Sequence, residues 1–198
     1  MGHRPRRTVG DLDGGRPMRP TPSQTVGPFY GYALPFRGGG DLVPPGHPGA
    51  VSVHGYVYDG AGDPVPDALL EFWQADEAGN LDGRPGSMRR DDVDGSFAGR
   101  DGVTFTGFAR VATDLGGHWT LRTVRPGGPP YIAVCVFARG LLHHLYTRVY
   151  LEDAGDALLT SLPADRRATL VAAPERDGVF RFDVRLQGEG ETVFLDLG

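Results

Sequence analysis

Arg139 has the setting that most clearly suggests binding chemistry. It follows an apolar run over residues 131–138 and directly precedes Gly140, so a cation stands at the end of a segment otherwise suited to a protein interior. A guanidinium at the mouth of a pocket can bind a ligand carboxylate through two parallel hydrogen bonds. The alternative interpretation is a structural ion pair at the end of a strand.

Metal-binding and nucleophilic chemistry have less support. His143 and His144 are adjacent, and adjacent strand residues point to opposite faces, so we expect one to be inward and hydrogen-bonded and the other near the surface. Cys135 lies within the apolar run and is predicted to be a small buried hydrophobic residue. Tyr131 could supply a ligand oxygen, but a single strand tyrosine is typical of a core or an interface. The acidic residues between positions 82 and 94 lack the spacing of an EF-hand.

Composition excludes several classes of function. All 20 basic residues of the 198-residue chain are arginines, which excludes lysine Schiff-base chemistry. The net charge of −5 disfavours nucleic acid and anionic membranes as partners. No apolar run approaches the ~20 residues of a membrane span. The single cysteine permits no internal disulfide, and we expect a cytoplasmic protein.

The elements that must position these side chains are short strands. Apolar residues alternate with polar ones, and turn residues such as Asp-Gly and Gly-Gly separate the strands, which is typical of an all-β sandwich. Residues 108–124 are predicted to be a hairpin, residues 83–104 a long surface loop, and residues 156–162 and 164–172 short helices. The predicted strands cover residues 51–58, 68–74, 108–112, 118–124, 131–137, 145–151 and 180–187.

The chain divides into three predicted parts. Residues 1–20 are rich in Gly, Pro and Arg and are predicted to be a flexible extension; residues 49–198 form the β-sandwich domain. Residues 21–48 are predicted to be an extended arm that packs on a partner subunit, because its aromatic side chains need cover. Pro22 and Pro28 fix the backbone angle φ near −65°, and Gly27 permits conformations that other residues resist, so we expect no helix or sheet in the arm.

Two segments carry a family resemblance. TPSQTVGPFY at residues 21–30 and RFDVRLQGEGETVF at residues 181–194 resemble the protocatechuate 3,4-dioxygenases, and their alpha subunits in particular. The sequence Phe-Ala-Arg-Gly at residues 137–140 matches the same subunits. The resemblance implies an intradiol-dioxygenase β-sandwich with an extended N-terminal arm and a few short helices.

The resemblance also implies that the metal is held elsewhere. Members of this family bind Fe(III) through two tyrosines and two histidines in their beta subunits, a ligand set suited to that ion. The corresponding positions here are Leu81, Gly128 or Pro129, Tyr131 and Ala133. We therefore expect this chain to hold neither metal ligands nor catalytic residues, and its beta-subunit partner to hold the Fe(III).

The implied role is one wall of a shared pocket. By the resemblance, Arg139, Thr25, Gly27 and Pro28 bind the substrate, 3,4-dihydroxybenzoate, which the complex cleaves with O₂ to 3-carboxy-cis,cis-muconate. Two alternatives stay open: a self-sufficient intradiol dioxygenase with relocated ligands, and a non-catalytic β-sandwich that binds or scaffolds other molecules.

Overall fold

The computed structural model consists mainly of short strands in two facing sheets. It describes residues 25, 27, 29–81, 88–95, 97–100 and 104–197. The predicted extension at residues 1–20 lies outside the described residues. No described helix is long and apolar enough to cross a membrane.

The first sheet is organised around its longest strand, β1. Strand β6 pairs with β1 antiparallel, and β10 and β11 pair with it in parallel. Strand β9 extends the sheet beyond β10. The strands of this sheet are β1 (Ala50–Tyr58), β6 (His118–Val124), β9 (Ala173–Arg176), β10 (Val179–Arg181) and β11 (Val184–Arg185).

The second sheet is antiparallel throughout, in the order β5-β2-β7-β8. Its strands are β2 (Leu69–Trp73), β5 (Phe108–Ala112), β7 (Ile132–Phe137) and β8 (Leu145–Val149). The remaining elements are the hairpin of β3 (Met88–Arg90) and β4 (Phe97–Arg100), and the helices α1 (Tyr30–Ala33), α2 (Ala157–Ser161) and α3 (Ala164–Ala168).

The core lies between the two sheets, as the alternating pattern predicts. Buried and half-buried residues alternate along β1 and β7, so each strand turns one face inward and one outward. Trp119 and Phe72 come from opposite sheets, and their ring centroids lie 5.1 Å apart in the core. The all-β sandwich is therefore confirmed.

Two predicted strand arrangements are wrong. Residues 108–124 are not a hairpin: the turn after Asp114 carries the chain from one sheet to the other, so β5 pairs with β2 while β6 pairs with β1. Residues 180–187 are not one strand but β10 and β11. Between them the carboxylate of Asp183, not a backbone group, accepts the hydrogen bond of the Tyr56 amide. A Cβ on Gly55 would collide with the carbonyl oxygen of Phe182, so the two backbones approach closely here.

The other elements need smaller revisions. Helices α2 and α3 confirm the two predicted helical segments. The predicted loop at residues 83–104 contains the β3–β4 hairpin. The arm, expected to lack helix, contains the four-residue α1. Its later part belongs to the sandwich, because Leu42 and Val43 are buried and Leu42 joins the core.

Candidate binding site

Strand register places Arg139 opposite an acidic residue. Strands β2 and β7 are antiparallel and pair Leu69 with Phe137 and Leu70 with Val136. Two residues further along the same register, the position facing Arg139 is Asp67. Each residue lies two positions beyond the end of its strand, so strand pairing brings both side chains to the same edge of the sandwich.

The two side chains form a close ion pair. The Nε atom of Arg139 donates to both carboxylate oxygens of Asp67 at 2.9 Å, and its Nη2 atom lies 2.6 Å from Oδ2. The Asp67 side chain is only 12% exposed, whereas that of Arg139 is 62% exposed. Hydrogen bonding to Asp67, and then its negative charge, hold the pKa of Arg139 above its usual value. The cation therefore remains at the surface while its anchor is covered.

A buried hydroxyl holds the backbone around Asp67. Thr113 accepts from the amide of Ala68 at 3.0 Å and donates to the carbonyl of Val65 at 2.7 Å. Thr113 and Ala68 are both buried. These bonds bracket Asp67 on both sides, so its carboxylate projects from a well-restrained turn.

The arm helix α1 lies against this pair. Tyr30 is buried, and its ring centroid lies 6.1 Å from that of Phe137. Its hydroxyl is buried and has no hydrogen-bond partner among the described residues. Burial, followed by the negative charge of Asp67, raises the pKa of Tyr30 to about 12. A small cavity of about 140 Å³ opens between Tyr30, Phe137 and the loop after β7.

The other predicted binding residues lie just before α1. Thr25 is exposed, and its hydroxyl accepts a hydrogen bond of 3.2 Å from the Gly27 amide. Gly27 has φ of +73°, a left-handed conformation that favours glycine. Pro28 lies outside the described residues. Within the part of the arm that is described, no hydrogen bond joins Thr25 or Gly27 to Arg139.

A larger groove runs along the outer face of the second sheet. Its volume is about 420 Å³, and it contains the two strand positions at which the family resemblance implies histidine ligands. Its lining is mainly apolar and aromatic, and comprises Glu71, Phe72, Trp73, Phe108, Tyr131, Ala133, Val134, Cys135, Tyr146, Thr147, Arg148, Leu195 and Leu197.

The charged groups of the groove are engaged with neighbours. Glu71 accepts from Arg110 at 2.7 Å. The guanidinium of Arg148 lies 3.9 Å from the ring centroid of Tyr131, a cation–π contact, and donates to the hydroxyl of Tyr150 at 3.3 Å. Cys135 is half-buried on this face and not in the core as expected, and burial, with the charge of Glu71, raises its pKa to about 12.

The groove does not fit an intradiol iron centre. Leu81 and Ala133 offer no donor atom, and Tyr131 is the one side chain at the implied positions that could ligate. Among the described residues, no group of three or more His, Cys, Asp or Glu side chains is arranged to hold a metal ion. Tyr131 instead packs beneath Arg148.

The expectation for His143 and His144 is wrong. Both lie in the loop between β7 and β8, outside any strand, and both are exposed. His144 makes a 2.8 Å hydrogen bond with the hydroxyl of Tyr146, and its ring centroid lies 5.5 Å from that of Phe137. Strand β7 ends at Phe137, and Gly140, with φ of +83°, lies in the turn that follows it.

Comparison with known proteins agrees with this architecture. A family model described as "Dioxygenase" matches residues 40–135. The chain is 44% identical to the protocatechuate 3,4-dioxygenase alpha chain of Burkholderia cepacia, over 91% of this chain and 98% of that protein. It belongs to the protocatechuate 3,4-dioxygenase alpha-chain family.

Two further comparisons concern a beta chain and a solved structure. The protocatechuate 3,4-dioxygenase beta chain of Burkholderia cepacia is 27% identical over 72% of this chain and 66% of that protein. The solved dioxygenase domain of a dioxygenase–carbohydrate-binding protein fusion from Streptomyces sp. SirexAA-E superposes with a TM-score of 0.52 at 28% identity. That match covers 86% of this chain and 99% of the domain. The intradiol-dioxygenase sandwich is thus confirmed.

Sequence reasoning missed Asp67 and Tyr30 as members of the site. Asp67 carried a usable signal, since it directly precedes the predicted strand at residues 68–74, and Arg139 follows the predicted strand at residues 131–137 after one intervening residue. An antiparallel pairing of the two strands brings such flanking residues together. Tyr30 carried no such signal, because the arm was expected to pack on a partner subunit and not on this chain.

Proposed function

We propose that this chain is the alpha subunit of a protocatechuate 3,4-dioxygenase. With a beta subunit, it takes part in the cleavage of 3,4-dihydroxybenzoate by O₂ between its two hydroxyls, giving 3-carboxy-cis,cis-muconate. The observation that carries the proposal is a near full-length match to an alpha chain in a sequence that lacks the family's metal ligands. The lone free cysteine agrees with the cytoplasmic location that we also propose.

The proposal assigns the metal to the partner. Leu81 and Ala133 cannot ligate, so the Fe(III) that activates the catechol in this family would be held by the beta subunit. A beta chain is itself related to this sequence, which supports a pair of chains with a common fold.

The role proposed for this chain is to bind the substrate's carboxylate and orient its ring. Arg139 has the exposure and charge to pair with the carboxylate, and Thr25, Gly27 and Pro28 would line the same pocket from the arm. The carboxylate takes no part in bond cleavage, so its binding energy can hold the ring in a reactive orientation.

The arm is proposed to pack on the beta subunit. Phe29, Tyr32 and Leu34 are exposed, with Tyr32 at 87%. These apolar side chains in and beside α1 would be covered by a partner surface. Arg37 is also exposed, so trypsin cleavage after Arg37 should be fast in the isolated chain and slow in the complex. Equal protection in both samples would contradict an obligate subunit.

The deciding experiment compares the isolated chain with the chain co-expressed with a beta subunit. Iron content, visible tyrosinate absorption and O₂ uptake with 3,4-dihydroxybenzoate are measured on each. We expect the isolated chain to bind no stoichiometric iron and to be inactive, and the complex to be coloured and active. An iron-loaded, active isolated chain would establish a self-sufficient enzyme. Failure to form any active complex would favour a binding or scaffolding module.

The role of Arg139 is tested in the complex by Arg139→Leu. We expect kcat/KM for 3,4-dihydroxybenzoate to fall about 10–100-fold, because a charge-assisted hydrogen bond is lost. Catechol has no carboxylate, so its use should change little. Equal losses on both substrates would mean that Arg139 acts structurally.

A further inference from the structure

We propose that Asp67 is a positioning residue that orients the Arg139 guanidinium for the carboxylate of the aromatic substrate. This inference rests on the proposed function and extends it to a residue that the family resemblance did not identify. Asp67 would not touch the substrate; it would act through Arg139.

The hydrogen bonds leave one edge of the guanidinium available. A guanidinium has five N–H donors: one on Nε and two on each Nη atom. Asp67 takes the Nε edge, through Nε and Nη2. Among the described residues no hydrogen bond engages Nη1, so the edge formed by Nη1 and the second hydrogen of Nη2 can bind a second carboxylate. That edge supplies two parallel N–H bonds, the geometry that suits a carboxylate.

Asp67 is restrained well enough to serve as an anchor. The hydroxyl of Thr113 bonds the backbone on both sides of it, through Val65 and Ala68. The β2–β7 register brings Asp67 opposite Arg139. A long arginine side chain that is 62% exposed would otherwise sample many rotamers, and pairing with a fixed carboxylate limits them.

The arm covers the anchor and so links it to the rest of the pocket. A Cβ on Gly31 would lie 3.5 Å from the carbonyl oxygen of Asp67 and 3.8 Å from its Cβ, so α1 passes directly over this residue. Tyr30, one position earlier, is buried beside the pair. The proposed pocket residues Thr25 and Gly27 precede the same helix. Asp67, the Arg139 guanidinium and helix α1 of the arm therefore pack together.

The test uses the complex with its beta subunit and two substrates, 3,4-dihydroxybenzoate and catechol. The variants are Asp67→Asn, which keeps the shape of the side chain and removes its charge, Arg139→Leu, and the double variant. Asp67→Glu is the conservative control, because it keeps the charge and shifts the carboxylate by one methylene. Complex assembly is checked by size-exclusion chromatography for each.

We expect Asp67→Asn to lower kcat/KM for 3,4-dihydroxybenzoate about 10-fold and to leave catechol use unchanged, since misorientation of a substrate-binding group is costly. Asp67→Glu should lose less. The double variant should be no worse than Arg139→Leu alone, because a residue that acts through Arg139 has no effect in its absence.

Other outcomes overturn the inference. Equal losses on both substrates would make Asp67 structural, and improved use of 3,4-dihydroxybenzoate would make it a competitor of the substrate. If Asp67→Asn does not assemble, Asp67→Ala takes its place, and an unchanged preference for 3,4-dihydroxybenzoate over catechol in that variant contradicts the inference. Failure of the proposed function looks different: there Arg139→Leu itself is not selective, or the complex is inactive.

Discussion

The thiol of Cys135 offers a measurable report on the groove of the second sheet. Burial and the charge of Glu71 raise its pKa to about 12 from an ordinary value of 9.0. At pH 8 a thiol of pKa 9.0 is roughly 10% thiolate, whereas one of pKa 12 is about 0.01% thiolate, a ~900-fold difference. A more basic thiolate is intrinsically more nucleophilic, by about 15–30-fold for three pKa units. The native chain should therefore react with an aromatic disulfide reagent about 30–60-fold more slowly than the unfolded chain.

The assay is stopped-flow absorbance between pH 7 and 10, with the urea-unfolded chain as reference. The native rate should rise about tenfold per pH unit across the whole range, because the thiolate population is still far from saturation. Glu71→Gln removes the second cause of the shift and should increase the native rate at every pH. Glu77 is exposed, so Glu77→Gln is the control and should leave the native rate unchanged.

A different profile would refute this reasoning. Simple steric cover by the groove walls lowers the rate but leaves the inflection near pH 9. A native rate that levels off there would mean that access, and not the pKa of Cys135, controls reactivity. Equal native and unfolded rates at pH 8 would mean that the groove is open around the thiol.

Three further predictions concern stability. Gln74 is buried and bonds two backbone carbonyls and a buried hydroxyl, so Gln74→Leu should lower the free energy of unfolding by about 3 kcal/mol in urea titrations. Burial raises the pKa of both Tyr30 and Tyr150 to about 12, so the fold favours the neutral phenols. The contribution of these two phenols to the free energy of unfolding should be fully present below pH ~10 and should fall as the pH rises towards 12. Tyr30→Phe should reduce the dependence of the melting temperature on pH in that range. Gly55→Ala should destabilise the chain by about 3 kcal/mol or more, because its methyl group meets the carbonyl of Phe182; a melting temperature within 2–4 °C of the parent, about the effect of 1 kcal/mol, would contradict this.

Local patterns in the sequence were sufficient for most strands. Strands such as β1 and β7 bury one face, so their side chains alternate with a period of two that is readable without a structure. Short helices were also recognisable: Asp156 caps the N-terminus of α2, and its carboxylate accepts a hydrogen bond from the Leu158 amide. Turn chemistry was read correctly at Asp114, but the partner of each flanking strand was not.

The sequence by itself determined the residue types at the positions where the family resemblance implies metal ligands. The side chains of Leu81 and Ala133 have no donor atoms, so they cannot serve as ligands at those positions whatever the fold. Family membership was likewise carried by local motifs at both ends of the chain.

Only the tertiary structure decided how Arg139 is held. Its anchor Asp67 is 72 residues away, and the pairing depends on the register of two strands that no local pattern specifies. The same holds for β10 and β11, whose separation reflects the approach of Phe182 to Gly55 across the sheet. Side-chain type is a local property, so the candidate binding residue could be recognised from the sequence. The partner of a charge or of a strand is set by long-range packing, so only the tertiary structure shows it.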